Sequence, residues 1–181
     1  MDIKATSLPG VLLVRPRIFH DERGFFLESW NQKEFDRAVG REVRFVQDNH
    51  SRSKRGVLRG LHYQVAPAAQ AKLVTVMSGK IFDVAVDLRP GSPTLGKWIG
   101  EELCGDERTS LWIPEGFAHG FLVLSETADV LYKATDFYSP QHERCIRWDD
   151  PDLAIAWPLG DTTPTLSSKD LVAPLFAQIR W

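Results

Sequence analysis

Cysteine is scarce in this chain, which has two cysteines among 181 residues. Cys104 and Cys145 stand far apart, so they form neither a C-x-x-C motif nor the paired spacing of a structural zinc site. The same scarcity argues against a disulfide framework of the kind that stabilises small secreted domains. Unpaired cysteines are typical of a reducing compartment, and we expect a cytoplasmic protein.

Long apolar runs and a strong net charge are also missing. No stretch approaches the roughly 20 apolar residues of a membrane-spanning helix, and residues 1–10 lack the basic and apolar regions of a secretory signal peptide. The formal net charge of −2 provides no broad basic surface, so we expect neither a nucleic acid partner nor a membrane partner. An anionic ligand must then be bound by a few locally placed Arg and Lys side chains.

What the chain does contain is the composition of an ordinary globular domain, with 43% hydrophobic and 25% charged residues. The sequence shows no internal repeat, low-complexity tract or linker. We therefore predict one domain over residues 1–181.

One segment carries the signals of a helix. Asn31 is a capping residue, Glu34 follows at the capping-box position, Phe35 and Val39 lie on an apolar stripe, and Gly40 ends the pattern. We predict a short helix between Asn31 and Gly40, as one of at most a few short helices in the chain.

Most of the remaining chain has the patterns of β-strands. Residues 72–88 alternate and are rich in β-branched side chains around the turn at residues 78–80, which predicts a hairpin. Further short strands are predicted at residues 11–14, 24–30, 43–47, 58–65, 111–113, 119–124, 130–135 and 145–148. Many short strands with few helices indicate an all-β fold, an antiparallel sandwich or jelly-roll barrel with a ligand pocket in its mouth.

The C-terminal segment, residues 159–181, is rich in Thr, Ser and Pro. Its apolar residues are expected to pack back on the body of the domain. They are Leu171, Val172, Leu175, Phe176, Ile179 and Trp181.

Polar side chains interrupt several of the predicted strands. In residues 58–64, alternation places His62 and Gln64 on one face and Arg59 on the other, so Arg59 and His62 share a pocket only if Gly60 allows a bulge. Lys72 heads the face that continues as residues 74 and 76. If that face points inward, the Lys72 ammonium lies inside the barrel and needs an anion.

Other polar positions have an ordinary explanation when each is taken alone. Tyr132 shares a face with residues 130 and 134. Its side chain serves there either as a core residue or as an acid. His119 lies between a turn and a glycine, which gives a ligand close access to the backbone. His62 alone is more often a satisfied core histidine than a base, and Lys72 and Arg59 alone are more often solvated.

The polar residues also belong to an ordered series of motifs. These are RGFF at residues 23–26, QDN at 47–49, LRGLHYQ at 58–64, KLV at 72–74, DVAVDLR at 83–89, SPT at 92–94, PEGFAHGF at 114–121 and SKD at 168–170. The series resembles the dTDP-4-dehydrorhamnose 3,5-epimerases of the cupin superfamily over nearly the whole chain. It departs from the family pattern in the loop at residues 104–108 and is plainer than usual at residues 66–70.

The resemblance implies a homodimeric jelly roll that epimerises C3 and C5 of dTDP-4-dehydro-6-deoxyglucose without a metal or redox cofactor. By the same resemblance His62 is the general base, Asp170 orients it, Tyr132 is the acid on the opposite face of the sugar, and Lys72 stabilises the enolate. The substrate-binding residues that it implies are Arg23, Phe26, Glu28, Gln47, Asp48, Asn49, Arg59, His119, Tyr138, Glu143 and Lys169, with Tyr138 stacking on thymine.

The implied roles suit the chemistry of these groups. Epimerisation beside a ketone needs a base, a group that holds the enolate and an acid on the other face. An imidazole accepts a proton near neutral pH, and a carboxylate on its second nitrogen fixes the tautomer. The contact between His62 and Asp170 is a hypothesis at this point, because the two residues are distant in the sequence.

Three alternatives remain open. A metal-dependent cupin oxygenase would explain the half-motif that ends at His119, but residues 62–64 offer one imidazole where a metal site needs more ligands. A non-catalytic nucleotide-sugar binder would leave His62, Lys72 and Tyr132 without a purpose. A single-carbon epimerase of a related nucleotide deoxysugar is harder to distinguish, although we expect Tyr132 to favour the double reaction.

Overall fold

The computed structural model describes residues 1–179, and β-strands dominate them. The strands are β1 Asp2–Ala5, β2 Leu12–Arg15, β3 Ile18–Asp21, β4 Gly24–Leu27, β5 Gln47–Lys54, β6 Leu58–Gln64, β7 Lys72–Ser78, β8 Lys80–Asp87, β9 Trp98–Cys104, β10 Ser110–Ile113, β11 Phe117–Val123, β12 Thr127–Ala134 and β13 Glu143–Cys145. The helices are α1 Gln32–Val39 and α2 Ser168–Leu171, and Phe176–Gln178 forms a 3₁₀ turn.

The strands form two main sheets that pack face to face. One sheet has the order β1-β2-β10-β7-β12-β5, and the other has the order β13-β6-β11-β8-β9. The strands β3 and β4 make a separate hairpin. The pairings are antiparallel, which confirms the predicted all-β jelly-roll sandwich with short helices.

The apolar core lies between the inner faces of the two sheets. Val74 and Val130 come from the first sheet, and Ile81 and Ala85 come from the second. All four side chains are fully buried. The ring of Tyr132 packs against this core, so the polar end of the barrel is continuous with its apolar interior.

The helix α1 covers the outer face of the first sheet. The Asn31 side chain accepts a hydrogen bond from the Glu34 N–H at 3.1 Å, and Gly40 ends the helix in the left-handed conformation. Phe35 is fully buried and its ring lies 5.1 Å from that of Trp112. Burial of one such side chain contributes roughly 2 kcal/mol. The predicted helix and both of its caps are confirmed.

The predicted hairpin over residues 72–88 is wrong. Strand β7 pairs with β10 and β12, whereas β8 pairs with β9 and β11 in the other sheet. The chain crosses between the sheets at Gly79. Alternation and a turn signal indicate two strands and a reversal, but they do not indicate whether the two strands bond to each other. The crossing places Lys72 and Asp83 on facing inner surfaces of the barrel.

The predicted strand at residues 43–47 is shifted. Residues 43–46 are not in a strand, and the strand β5 consists of the polar residues that were expected to follow it. β5 is an edge strand whose outer face is exposed, so neither of its faces needs to be apolar. The sequence patterns also missed β1, β3 and β9.

The C-terminal segment packs only in part as expected. Ile179 and Phe176 pack against the outer face of the second sheet, but Leu171 is 64% and Val172 is 80% exposed. Trp181 lies outside the described residues. Within residues 1–179 no helix is both long enough and apolar enough to cross a membrane.

We predict that Gly79→Ala destabilises the fold far more than Gly40→Ala. Both glycines have φ near +80°, and an alanine at Gly40 meets open space, so that change costs about 1 kcal/mol of strain. A Cβ on Gly79 would lie 2.1 Å from the Thr127 carbonyl oxygen, which adds roughly 2 kcal/mol or more of steric strain. Urea denaturation measures both changes. Equal losses would show that the strand crossing tolerates a side chain.

Candidate active site

A polar cavity of about 110 Å³ opens at one end of the barrel between the two sheets. Its lining residues are Gln47, Asn49, His62, Tyr63, Gln64, Gln70, Lys72, Tyr132, Tyr138 and Glu143. A larger cavity of about 420 Å³ lies beside the β3–β4 hairpin, but apolar side chains such as Leu73, Met77 and Phe26 dominate its lining. The smaller cavity is the candidate active site because titratable groups converge there.

A bulge in β6 orients the side chains at this site. His62 pairs in register with His119 of β11, but Arg59 pairs with Phe121, so the register shifts between them. Gly60 and Gly120 cross at this point, where a Cβ on Gly60 would lie 2.5 Å from the Gly120 Cα. A bulge at Gly60 was the condition for Arg59 and His62 to share a pocket, and this bulge is present. Arg59 points toward β5, where its Nε donates a hydrogen bond to Ser53 Oγ at 3.0 Å.

His62 is paired with Asp170, as hypothesised. The His62 Nε2 lies 2.5 Å from Asp170 Oδ1. Asp170 is 2% exposed and also accepts a hydrogen bond from Ser167 Oγ at 2.8 Å. Burial raises the pKa of Asp170, but hydrogen bonds from His62, Ser167 and the Gly60 N–H outweigh burial and lower it overall. The carboxylate is thus ionised and fixes the orientation of the imidazole.

Lys72 points into the barrel at the first position of β7. Its Nζ donates a hydrogen bond to the His62 carbonyl oxygen at 3.4 Å and lies 5.9 Å from the centre of the Tyr132 ring. Desolvation lowers the pKa of Lys72 to about 8, against the opposing influence of the Asp83 and Glu143 carboxylates. A desolvated cation of this kind is suited to an oxyanion that develops inside the cavity.

Tyr132 lines the opposite wall of the cavity on β12. It pairs in register with Val74 of β7 and with Asn49 of β5. Burial raises the pKa of Tyr132, and the nearby charge of Arg59 lowers it only in part. The phenol therefore keeps its proton at neutral pH and is available as an acid.

His119 and Asp83 form a second imidazole–carboxylate pair inside the barrel. The His119 Nε2 lies 2.7 Å from Asp83 Oδ1, and both residues are buried. The second oxygen of Asp83 is buried without a hydrogen-bond partner. Asp83 is not among the site residues predicted from the sequence. The sequence feature that could have identified it is a carboxylate on the inward face of β8, between the fully buried Ile81 and Ala85.

The mouth of the cavity contains most of the remaining predicted binding residues. The Tyr138 hydroxyl donates to Glu143 Oε2 at 2.8 Å, and Lys169 forms an ion pair with the other oxygen of Glu143. Gln47 Nε2 donates to Asn49 Oδ1 at 3.0 Å. Tyr138 is 54% exposed, so this group of contacts lies at the open end of the cavity.

Besides Arg59, His119 and Lys169, four predicted binding residues do not line the cavity. Asp48 is on the outer face of β5, because alternation directs it away from Asn49, and its Oδ2 lies 3.0 Å from Lys133 Nζ. This geometry argues against the predicted ligand contact of Asp48. The other three residues are on or just after the β3–β4 hairpin and do not line the cavity of their own chain: Arg23, Phe26 and Glu28.

Within residues 1–179, no group of three or more His, Cys, Asp or Glu side chains is arranged to hold a metal ion. Cys145 pairs in register with His62, and burial raises the pKa of its thiol.

Comparison with known proteins gives consistent matches over the whole chain. The family model described as dTDP-4-dehydrorhamnose 3,5-epimerase matches residues 5–178. A Pseudomonas aeruginosa protein with that name is 60% identical over 177 residues, which are 97% of this chain and 97% of the relative.

Solved structures also match. A Legionella pneumophila dTDP-6-deoxy-D-glucose-3,5-epimerase in complex with dTDP-4-keto-L-rhamnose has a TM-score of 0.94 and 51% identity, covering 99% of this chain and 94% of that chain. A 3′-monoepimerase from Streptomyces bikiniensis in complex with dTDP has a TM-score of 0.90 and 35% identity, covering 96% and 86%. In that structure a His and a Tyr are replaced by Asn and Phe, and they have the same sequence separation as His62 and Tyr132.

We predict that Lys72→Met stabilises the protein at neutral pH while it removes the cavity's cation. Folding lowers the pKa of Lys72 from 10.5 to about 8, so the folded state binds this proton more weakly than the unfolded state does. The charged Lys72 therefore lowers the free energy of unfolding by an amount on the order of 1 to 3 kcal/mol. This loss is present below pH 8 and disappears as the pH rises toward 10.5. Urea denaturation of both proteins at pH 7 and pH 10 measures it. An advantage of the variant that does not shrink with pH would contradict the assignment.

Proposed function

The chain belongs to the dTDP-4-dehydrorhamnose 3,5-epimerase family, and from that membership we propose how its own residues carry out the reaction. The activity is epimerisation of dTDP-4-dehydro-6-deoxy-D-glucose at C3 and C5, which gives dTDP-4-dehydro-L-rhamnose in dTDP-L-rhamnose biosynthesis. One observation carries the assignment of roles. The His62 side chain, which is paired with the buried Asp170 at 2.5 Å between Nε2 and Oδ1, borders a cavity that Lys72 and Tyr132 also line.

His62 removes the proton from the carbon next to the ketone. The ring nitrogen that faces the cavity takes this proton, while Asp170 holds the other nitrogen and stabilises the imidazolium that results. The electron pair of the broken C–H bond moves onto the ketone, and an enolate forms with its negative charge on the C4 oxygen. The ketone acidifies C3 and C5 alike, so one base serves both carbons.

Lys72 stabilises the enolate oxygen. Its ammonium is held near His62 and is removed from bulk water, which strengthens its attraction for a developing negative charge. The attraction is greatest after the proton has left, so it lowers the barrier and does not merely hold the ketone.

Tyr132 returns a proton from the opposite face of the sugar. Its phenol stays protonated because burial raises its pKa, and it lies on β12 across the cavity from β6. Protonation of the enolate by Tyr132 restores the ketone with the carbon inverted. The substrate gains and loses one proton at each centre without a change in oxidation state, so the proposed mechanism needs no redox cofactor. Lys72 holds the enolate oxygen in this proposal, so no metal ion is given that role.

In this proposal the nucleotide end of the substrate lies at the mouth of the cavity. Tyr138 is 54% exposed there, and its ring is free to stack on thymine. Arg59 supports this placement because its guanidinium is close enough to the Tyr132 phenol to act on its pKa, and a guanidinium suits a pyrophosphate. The remaining proposed contacts with the nucleotide sugar are Gln47, Asn49, His119, Glu143 and Lys169.

A second copy of the chain completes the site in this proposal. Arg23, Phe26 and Glu28 lie outside their own chain's cavity, and Phe26 is 72% exposed on the hairpin. Phe19, which pairs with Phe26, and Phe25 are also exposed, and a contiguous exposed apolar patch is typical of a surface that meets a partner. We therefore propose a homodimer of single-domain chains in which each hairpin reaches toward the partner's site.

A single-carbon epimerase is the closest alternative function. The monoepimerase relative carries a His and a Tyr with the spacing of His62 and Tyr132, so Tyr132 by itself does not favour the double reaction. The 60% identity to a named 3,5-epimerase over 97% of both chains favours inversion at two carbons.

A cytoplasmic location is proposed on separate grounds. Cys104 and Cys145 are free thiols in the folded chain. Free, partly exposed thiols are typical of a reducing compartment.

The reaction is tested by proton NMR of dTDP-4-dehydro-6-deoxy-D-glucose in heavy water with chelator-treated protein. We expect deuterium to appear at both C3 and C5. His62→Ala should abolish exchange at both carbons, because it removes the proposed base. Tyr132→Phe should lower epimerisation by roughly 10²-fold or more but leave some exchange, because His62 can return a deuteron to the same face.

Different results identify the alternatives. Exchange at one carbon only would mean a single-carbon epimerase. Exchange that requires added metal would contradict the metal-free mechanism.

A further inference from the structure

The α2 segment, which carries Asp170, has little apolar anchoring of its own. Asp170 is the buried residue of α2, whereas Leu171 and the adjacent Val172 are 64% and 80% exposed. Ser167 caps the segment by accepting the Asp170 N–H at 3.2 Å. Polar contacts, rather than packing, therefore decide how accurately Asp170 meets His62.

One of those polar contacts comes from Glu143. This residue is on β13, which pairs in register with β6 through Glu143 and Gln64 and through Cys145 and His62. The Glu143 carboxylate forms an ion pair with Lys169, the residue immediately before Asp170. The strand next to the base thus holds the segment that carries the base's partner.

The second oxygen of the same carboxylate holds the ring at the mouth. The Tyr138 hydroxyl donates to Glu143 Oε2 at 2.8 Å. The backbone around Tyr138 is fixed separately, because its N–H donates to Gln47 Oε1 at 2.9 Å and the Ser139 N–H donates to Gln64 Oε1 at 2.7 Å. The phenol is therefore the part of Tyr138 that connects it to α2.

The charges at this junction favour a persistent contact. The Glu143 side chain is 19% exposed, so water screens its ion pair less than it screens a fully exposed pair. Burial raises the pKa of Glu143, but hydrogen bonds from Lys169 and Tyr138 outweigh burial and lower it overall. Glu143 is ionised at neutral pH and can hold both partners at once.

We propose that Glu143 is a positioning residue for the base: it links the Tyr138 ring at the mouth to the segment of Asp170, so that a nucleobase stacked on the ring steadies the His62–Asp170 pair. This inference rests on the proposed function and deepens it, because it makes the nucleotide end of the substrate a contributor to the rate of proton transfer. Binding energy gained far from the reacting carbons is then used to align the base.

The test compares Tyr138→Phe, Lys169→Met and the double variant in the heavy-water assay with steady-state kinetics. Tyr138→Phe keeps the stacking ring and removes only the hydroxyl, so we expect kcat to fall by roughly fivefold to tenfold while KM changes by less than about twofold. Lys169→Met should lower kcat by a similar factor, and a rise in its KM measures the separate contact that Lys169 is proposed to make with the substrate. The kcat of the double variant should be no lower than the kcat of the slower single variant, since both changes break the same connection through Glu143.

Glu102→Gln is the matched control, because it breaks the exposed ion pair between Lys80 and Glu102 on the far strand β9, and it should leave kcat and KM unchanged. A rise in KM with an intact kcat for Tyr138→Phe would show that the tyrosine only binds, and would overturn the inference. Multiplied losses in the double variant would do the same. Failure of the wild-type protein to exchange C3 and C5 would instead refute the proposed function.

Discussion

The contact between His62 and Asp170 is the constraint on which the rest of the site depends. A buried carboxylate is costly to ionise, and here three donors compensate: the imidazole, the Ser167 hydroxyl and the Gly60 N–H. Two of those donors come from β6 and one from the C-terminal segment. The C-terminal segment must therefore lie against the second sheet for the base to be oriented. The hydrogen bonds to Asp170 in turn explain how a four-residue helix without an apolar face is held at this position.

The bulge in β6 serves the same contact. Gly60 and Gly120 approach too closely for any side chain, and the register shift between them lets His62 face the cavity while Arg59 is directed toward Ser53 of β5. The adjacent Lys72 is held in a desolvated position that lowers its pKa to about 8. The barrel thus gives up some stability at its polar end, and the apolar core between the sheets offsets that loss.

Much of this arrangement is predictable from the sequence, and the failures have physical reasons. Alternation correctly grouped Lys72 with Val74 and Val76, and Tyr132 with Val130 and Ala134, and in the structure these are the inward faces, because period two is reliable where one face of a strand meets a core. It misplaced the strand β5, whose two faces are both polar, and it did not indicate that β7 and β8 separate into different sheets. Local patterns contain no information on strand partners or on contacts between distant residues, so the Asp170 contact depended on family resemblance and Asp83 was missed.

The most direct test of the account is the rate of deuterium exchange at C3 and C5 for Asp170→Asn, His62→Ala and the double variant. If Asp170 acts only through His62, Asp170→Asn lowers the rate by roughly 10²- to 10⁴-fold, and the double variant is no slower than His62→Ala alone. If Asp170→Asn keeps nearly the full rate, or if its loss multiplies that of His62→Ala, the buried pair is not the unit that removes the proton.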